Sequence, residues 1–178
     1  MRRPSVLLAS AVLVGTAACV SSGPSHAAAT SPTVAAAASP SNVRVQWQTV
    51  VTGLSSPISV TNAGDGSGRL FVDEQAGRIR IVHGKRLVKR PYLNISGRVQ
   101  SGGEQGLLSI AFHPNFKQHP RLYAAYTRSD GDLIVSEFKA RSATASHVSP
   151  STERRILRVK HRGAANHNGG QIFFGNDG

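Results

Sequence analysis

An imidazole titrates near pH ~6.5, so it can take a proton at neutral pH and later return it. Of the seven histidines in this chain, His167 has the most suggestive surroundings. It lies in Asn166-His167-Asn168-Gly169-Gly170-Gln171, a glycine-rich polar loop that leads into the apolar run Ile172-Phe173-Phe174 and closes on the hairpin signal Asp177-Gly178. A second loop, Gly102-Gly103-Glu104-Gln105-Gly106, leads into Leu107-Leu108-Ser109-Ile110 in the same way. Taken singly, each has an ordinary reading. Asn168-Gly169 marks a turn, asparagines at such places bond the local backbone, and an exposed loop histidine is commoner than a catalytic one.

The elements that must position these loops read as strands. After Val43 no stretch sustains a helical period, whereas short apolar or alternating runs recur between clusters of Gly, Asp, Asn and Pro. The runs are 43–51, 58–61, 69–73, 78–82, 107–112, 122–126, 133–138, 155–159 and 171–174. The fold class is therefore all-β. Within it, Ile58-Ser59-Val60 with Arg69-Leu70-Phe71-Val72 matches Ile110-Ala111-Phe112 with Arg121-Leu122-Tyr123-Ala124, both offset by 52 positions, and Ile172-Phe173-Phe174 begins a third copy after a further 62. Repeats of roughly 40 to 50 residues with about four short strands each are propeller blades. Two units and the start of a third cannot close a ring, so residues 43–178 are expected to be a partial propeller domain and the chain an N-terminal fragment.

The repeat gives His167 neighbours. Counted back from Ile110 and Ile172, Glu104 and Asn166 occupy equivalent positions, as do Gln105 and His167. Equivalent loops of successive repeats lie side by side, so Glu104, Gln105, Asn166 and His167 are expected to share one polar patch. Other polar motifs read as structure. Asp65-Gly66-Ser67-Gly68 lacks the ligand spacing of an EF-hand, and His113 has no ligand cluster around it. No metal-ligating set is expected.

Five segments carry a family resemblance: Gly53-Leu54-Ser55-Ser56-Pro57, the run Asp65 to Val72, Gly77 to Val82, Gly102 to Phe116 (GGEQGLLSIAFHPNF) and Asn166 to Gln171 (NHNGGQ). Together they resemble the glucose/sorbosone dehydrogenases, the soluble quinoprotein sugar dehydrogenases. The resemblance implies a six-bladed β-propeller, here about two blades and the start of a third, with pyrroloquinoline quinone (PQQ) and calcium as cofactors. It implies oxidation of an aldose or sorbosone-like sugar, and an external electron acceptor as partner. His167 matches the family's general base, which takes the hydroxyl proton while hydride passes to the quinone; no side chain can accept a hydride, so that acceptor must be a cofactor. Gln105 is matched most simply to the sugar-contacting glutamine, and Glu104 and Asn166 to substrate- or cofactor-binding positions. Characterised sugar oxidisers carry an aspartate where this chain has Asn166. Most cofactor-binding residues are expected beyond Gly178, so residues 1–178 alone are expected to show little or no activity. The alternative is a noncatalytic cell-surface propeller that binds carbohydrate or protein.

The N-terminus reads as an address. Arg2 and Arg3 precede an apolar stretch from Val6 to Ala18 that is too short for a bilayer span of about 20 residues, which describes an export signal over residues 1–19. Thr16-Ala17-Ala18-Cys19 resembles a lipoprotein processing site, with Cys19 as the lipidated residue and a membrane anchor; cleavage after Ser25-His26-Ala27 fits equally. The protein is therefore expected outside the cytoplasm, as a cell-envelope lipoprotein or a periplasmic or secreted protein. Residues 20–42 are almost all Ala, Ser, Pro and Thr and read as a disordered tether. One cysteine excludes an intrachain disulfide framework. A net charge of +12 does not argue for nucleic acid in an exported protein, because the cations fall in alternating strand patterns such as Arg78-Ile79-Arg80-Ile81, expected on a solvated sheet face.

Overall fold

Alternating and apolar runs separated by glycine turns fold into two antiparallel sheets in the computed structural model, which describes residues 44–177. The expected export signal, Cys19 and the tether of residues 20–42 lie outside the described residues. The first sheet contains β1 (Pro57–Asn62), β2 (Arg69–Glu74), β3 (Arg78–His83) and the two-residue strands β4 (Arg86–Leu87) and β5 (Leu93–Asn94). Its path runs β1-β2-β3-β4, with β5 also paired to β3. The second contains β6 (Leu107–Phe112), β7 (Arg121–Thr127), β8 (Leu133–Lys139) and β9 (Arg154–Val159) in sequential order, with a 3-10 turn at Pro150–Thr152 before β9. The first sheet is a meander of β1 to β3 whose outer edge is made by the two short strands β4 and β5, the second is a four-stranded meander, and the two are successive blades of a β-propeller.

The strand pairing confirms the repeat and corrects its spacing. β1 against β2 shifts register between Pro57 and Ser59, and β6 against β7 shifts between Leu107 and Ser109. Val60 faces Val72, and Ile110 faces Ala124. Thus β2 and β7 are offset by 52 positions but β1 and β6 by 50, so Val60 rather than Ile58 is the counterpart of Ile110. The connection at 113–120 is two residues longer than that at 63–68. A two-residue slip keeps every side chain on its face, which is why the apolar pattern alone does not reveal it.

Two expected strands are not formed. Residues 44–51 and 171–174 have no ladder partner among the described residues. A strand exists through its pairing, and apolar character supplies only the propensity. The third repeat therefore starts as an irregular segment laid on the second blade: Ile172 N–H donates to Ser109 Oγ (3.2 Å), and Phe174 packs edge-on against Tyr123 (ring centroids 5.2 Å).

The core lies between the blades. Phe71, Ile79, Ile81, Tyr92 and Leu93 of the first meet Leu107, Ile110, Phe112, Leu122, Ile134 and Phe138 of the second in one buried cluster. Its centre is aromatic, with Phe71 against Phe112 (4.5 Å) and Tyr92 (4.8 Å), geometries favoured by the ring quadrupoles. Arg78 and Arg80 do not form the freely solvated face expected from their alternation. Both are half-buried and hold the fully buried Glu74 at 2.8 and 3.3 Å, because a carboxylate removed from water needs paired donors.

Candidate functional site

The loop before β6 is a tight turn. Gly102 N–H donates to Gln105 O (3.1 Å), and Gln105 N–H donates back to Gly102 O (3.0 Å), with Gly103 at φ +55°. The turn lifts Glu104 to its tip, exposed to solvent. Its Oε2 accepts the backbone N–H of His167 at 2.6 Å, a contact spanning 63 positions.

His167 has φ +58°, a left-handed conformation uncommon for a residue with a Cβ. Gly169 (φ +57°) and Gly170 (φ +103°) continue the turn. Gly170 has a second reason to be glycine: a Cβ there would lie 2.8 Å from Leu108 Cδ1 and 2.9 Å from its Cβ. Asn168 is buried between them, donating Nδ2–H to Ala165 O at 2.9 Å, while its Oδ1 has no partner among the described residues. The loop's other end is tied through His161, whose Nε2 lies 3.0 Å from Asn166 O and whose N–H donates to Asp132 Oδ1 at 3.4 Å.

Asp132 is fully buried and meets Arg158 and Arg162, with Arg128 at 3.8 Å. Hydrogen bonds from Arg162 and Arg158 outweigh burial and hold its carboxyl below the ordinary range.

Of the four residues expected to share a patch, the structure joins Glu104 and His167 directly. The contact runs from carboxylate to backbone and leaves the imidazole free: the ring makes no hydrogen bond among the described residues. Gln105 is half-buried and engaged through its backbone, and Asn166 is exposed with its carbonyl turned to His161. Neither side chain bonds to Glu104 or His167. Gln75 was not anticipated. From the β2–β3 turn its Nε2 donates to Gly103 O (2.8 Å) and Gln105 O (3.0 Å). A glutamine in a turn carries no sequence signal for this, since only the docking of two blades brings it to the loop.

Chemically, the arrangement offers an unencumbered proton acceptor on a fixed backbone, beside one carboxylate. It does not by itself make a site for PQQ or calcium. Among the described residues no three His, Cys, Asp or Glu side chains are grouped to hold a metal, and no cation bonds to the patch to meet the carboxylates of the quinone.

Comparison with known proteins finds relatives of this chain and fold. The family model described as glucose/sorbosone dehydrogenase matches residues 54–178. Mouse Hedgehog-interacting protein is 41% identical over 147 residues, covering 74% of this chain and 21% of its own length. Among solved structures, an oxidoreductase from Thermus thermophilus described as a glucose dehydrogenase is 30% identical with a TM-score of 0.58, covering 73% of this chain and 37% of its own. The PQQ-bound aldose sugar dehydrogenase of Streptomyces coelicolor is 29% identical with a TM-score of 0.57, covering 73% and 38%. The chain thus spans well under two thirds of each of these relatives.

Proposed function

The chain belongs to the glucose/sorbosone dehydrogenase family, and from that membership we propose that it supplies the proton-accepting side of a site that oxidises a sugar hydroxyl. The observation that carries this reading is His167: an exposed imidazole whose ring makes no hydrogen bond among the described residues, on a left-handed backbone clamped by a carboxylate from the preceding blade. A general base must be free to reach the proton it takes and must be held in place while it does so. PQQ, when bound, supplies the hydride acceptor, as the similar PQQ-bound aldose sugar dehydrogenase suggests. The cations and the calcium ligands that such a cofactor requires are assigned to parts of the protein outside the described residues. Glu104 holds the base, and Gln105 and Asn166 border the sugar. Export through residues 1–19, with anchorage at Cys19 or cleavage after Ala27, puts the reaction in the cell envelope or outside it.

A second reading has its own support. The 41% identity to Hedgehog-interacting protein exceeds that to either dehydrogenase structure, and that relative is named for a protein it binds. Asn166 also replaces the aspartate of characterised sugar oxidisers, so the base lacks a charged neighbour on that side. This favours a noncatalytic propeller that binds carbohydrate or protein. Dye reduction by the whole protein with PQQ, calcium and a panel of aldoses separates the two. Turnover that His167→Ala abolishes, with folding intact, supports the oxidoreductase; binding of PQQ without turnover on any aldose, or turnover indifferent to His167→Ala, overturns it.

A further inference from the structure

The polar contacts around His167 lead back to a side chain that does no chemistry. Gln75 sits half-buried in the β2–β3 turn of the first blade and makes four hydrogen bonds. Its N–H donates to Ser56 O at 2.9 Å, and its carbonyl accepts Leu107 N–H, the first residue of β6, at 2.9 Å. Its two Nε2 hydrogens go to Gly103 O (2.8 Å) and Gln105 O (3.0 Å), on either side of Glu104. Gly106 closes the contact: a Cβ there would stand 2.6 Å from Gln75 Cγ and 2.7 Å from Gln75 O. The turn bearing Glu104 is thus fastened at both shoulders by one amide, and its tip is fastened to His167 N–H at 2.6 Å.

We propose that Gln75 is a positioning residue for His167, acting through Glu104. The glutamine amide gives one hydrogen bond to each carbonyl that flanks Glu104, from one rigid planar group, and at Gln105 O it adds to the bond from Gly102 N–H. Glu104 in turn accepts the one backbone donor whose orientation is set by the left-handed φ of His167. Such a conformation persists only where its surroundings over-determine it. The first blade therefore holds the backbone from which the imidazole of the third repeat projects, by a path of Gln75, the 103–105 turn and Glu104. The proposal rests on the reading of His167 as the base of a sugar oxidation, but the placement it describes can be measured without turnover.

The test uses nuclear magnetic resonance on the chain, following amide exchange at His167 and the shift and χ1 coupling of its ring, alongside thermal melting. Gln75→Ala and Glu104→Ala are each expected to speed His167 exchange about tenfold or more and to change the ring signals, since each removes a bond to a charged group or its support. Glu104→Gln retains an acceptor oxygen and should restore protection. The double alanine variant should be no worse at His167 than Glu104→Ala alone, because the two act on one path. In the whole protein, Gln75→Ala should lower kcat and leave KM nearly unchanged. The proposal is overturned if Gln75→Ala leaves His167 at parental values or loosens all amides alike. If Gln75→Ala does not fold, the Glu104 pair decides: indifference of His167 to Glu104→Ala overturns the path. If these shifts occur in a protein with no turnover, the oxidoreductase reading fails and the positioning stands.

Discussion

Arg69 of the first blade donates from Nη1 to the carbonyl of Ala145 beyond the second blade's β8, at 2.8 Å. Its Nη2 reaches Ala143 O and also Asp65 Oδ2, and its guanidinium carbon stands 5.2 Å over the ring of Phe71. One nearly buried cation therefore closes the end of the core opposite the His167 loop. It serves carbonyls of the 140–149 segment that water would otherwise have to reach.

Arg69→Ala should accordingly cost on the order of 2–3 kcal/mol, because two half-buried carbonyls and the Asp65 carboxylate lose a charged donor together. Arg69→Lys should recover less than half, since an ammonium cannot span the planar set of partners. Urea denaturation checks both. A loss below ~0.5 kcal/mol for the alanine variant would show that the segment closes without it.

Gly106→Ala should destabilise chiefly through contact, with the strain of φ +157° added to it. The added methyl would meet Gln75 Cγ at 2.6 Å and Gln75 O at 2.7 Å, and the second of these is backbone that β2 and β3 hold in place. A loss of about 1–3 kcal/mol is expected. Gly103→Ala, whose Cβ meets nothing within 4 Å, should cost only the strain of φ +55°. A thermal melt that ranks the two the other way would contradict the close approach.

Much of this fold is legible in the sequence because a strand's period of two is written into residues such as Ile79 and Ile81, buried in alternation with the half-buried Arg78 and Arg80. That the loops at Glu104 and His167 should meet is legible too, since both are glycine-rich and each lies just before the apolar run that opens its repeat. Pairing is where the reading stops. Residues 171–174 have strand composition and no partner, β4 and β5 are too short to show a period, and the 50-position offset of β1 and β6 hides behind a slip that preserves the face. Gln75 and the Arg78–Glu74–Arg80 clamp are invisible for a further reason. Each depends on a partner chosen by packing, and a polar residue in a turn or on a strand gives no hint of which partner that will be.

Asp73 should respond to charge removal with a gain. It is fully buried, its Oδ2 has no partner among the described residues, and burial raises its pKa against the opposing hydroxyl of Ser59. A raised folded pKa means that the ionised form is disfavoured by folding, so the group subtracts stability above that pKa and ceases to do so as pH falls through it. Asp73→Asn is therefore expected to raise the melting temperature at pH 7, with the advantage shrinking toward pH 4. Equal melting temperatures at pH 7 would show that the carboxylate is already compensated.

Asp132 should behave in the opposite sense, with a local consequence. Hydrogen bonds from Arg162 lead the effects that depress its pKa, with burial opposing them and Arg158 adding to them. A depressed folded pKa contributes stability that is fully present above the unfolded value near ~3.9 and is lost as pH falls through the folded one. The same carboxylate anchors Arg158 of β9, Arg162 and the N–H of His161, whose ring faces Asn166 O. Acidification below about pH 4 should thus loosen residues 158–168 ahead of the core, and with them the segment that presents His167. Asp132→Asn should reproduce that loosening at pH 7, because an amide withdraws the buried charge from Arg158 and Arg162 and leaves them only the half-buried Asp130, at 3.4 and 3.0 Å. Hydrogen exchange corrected for its intrinsic pH dependence reads the effect by segment. Uniform loss of protection across β2, β7 and β9 in the variant would place Asp132 in the global fold instead, and unchanged protection at 158–168 would show that the arginines hold the segment without it.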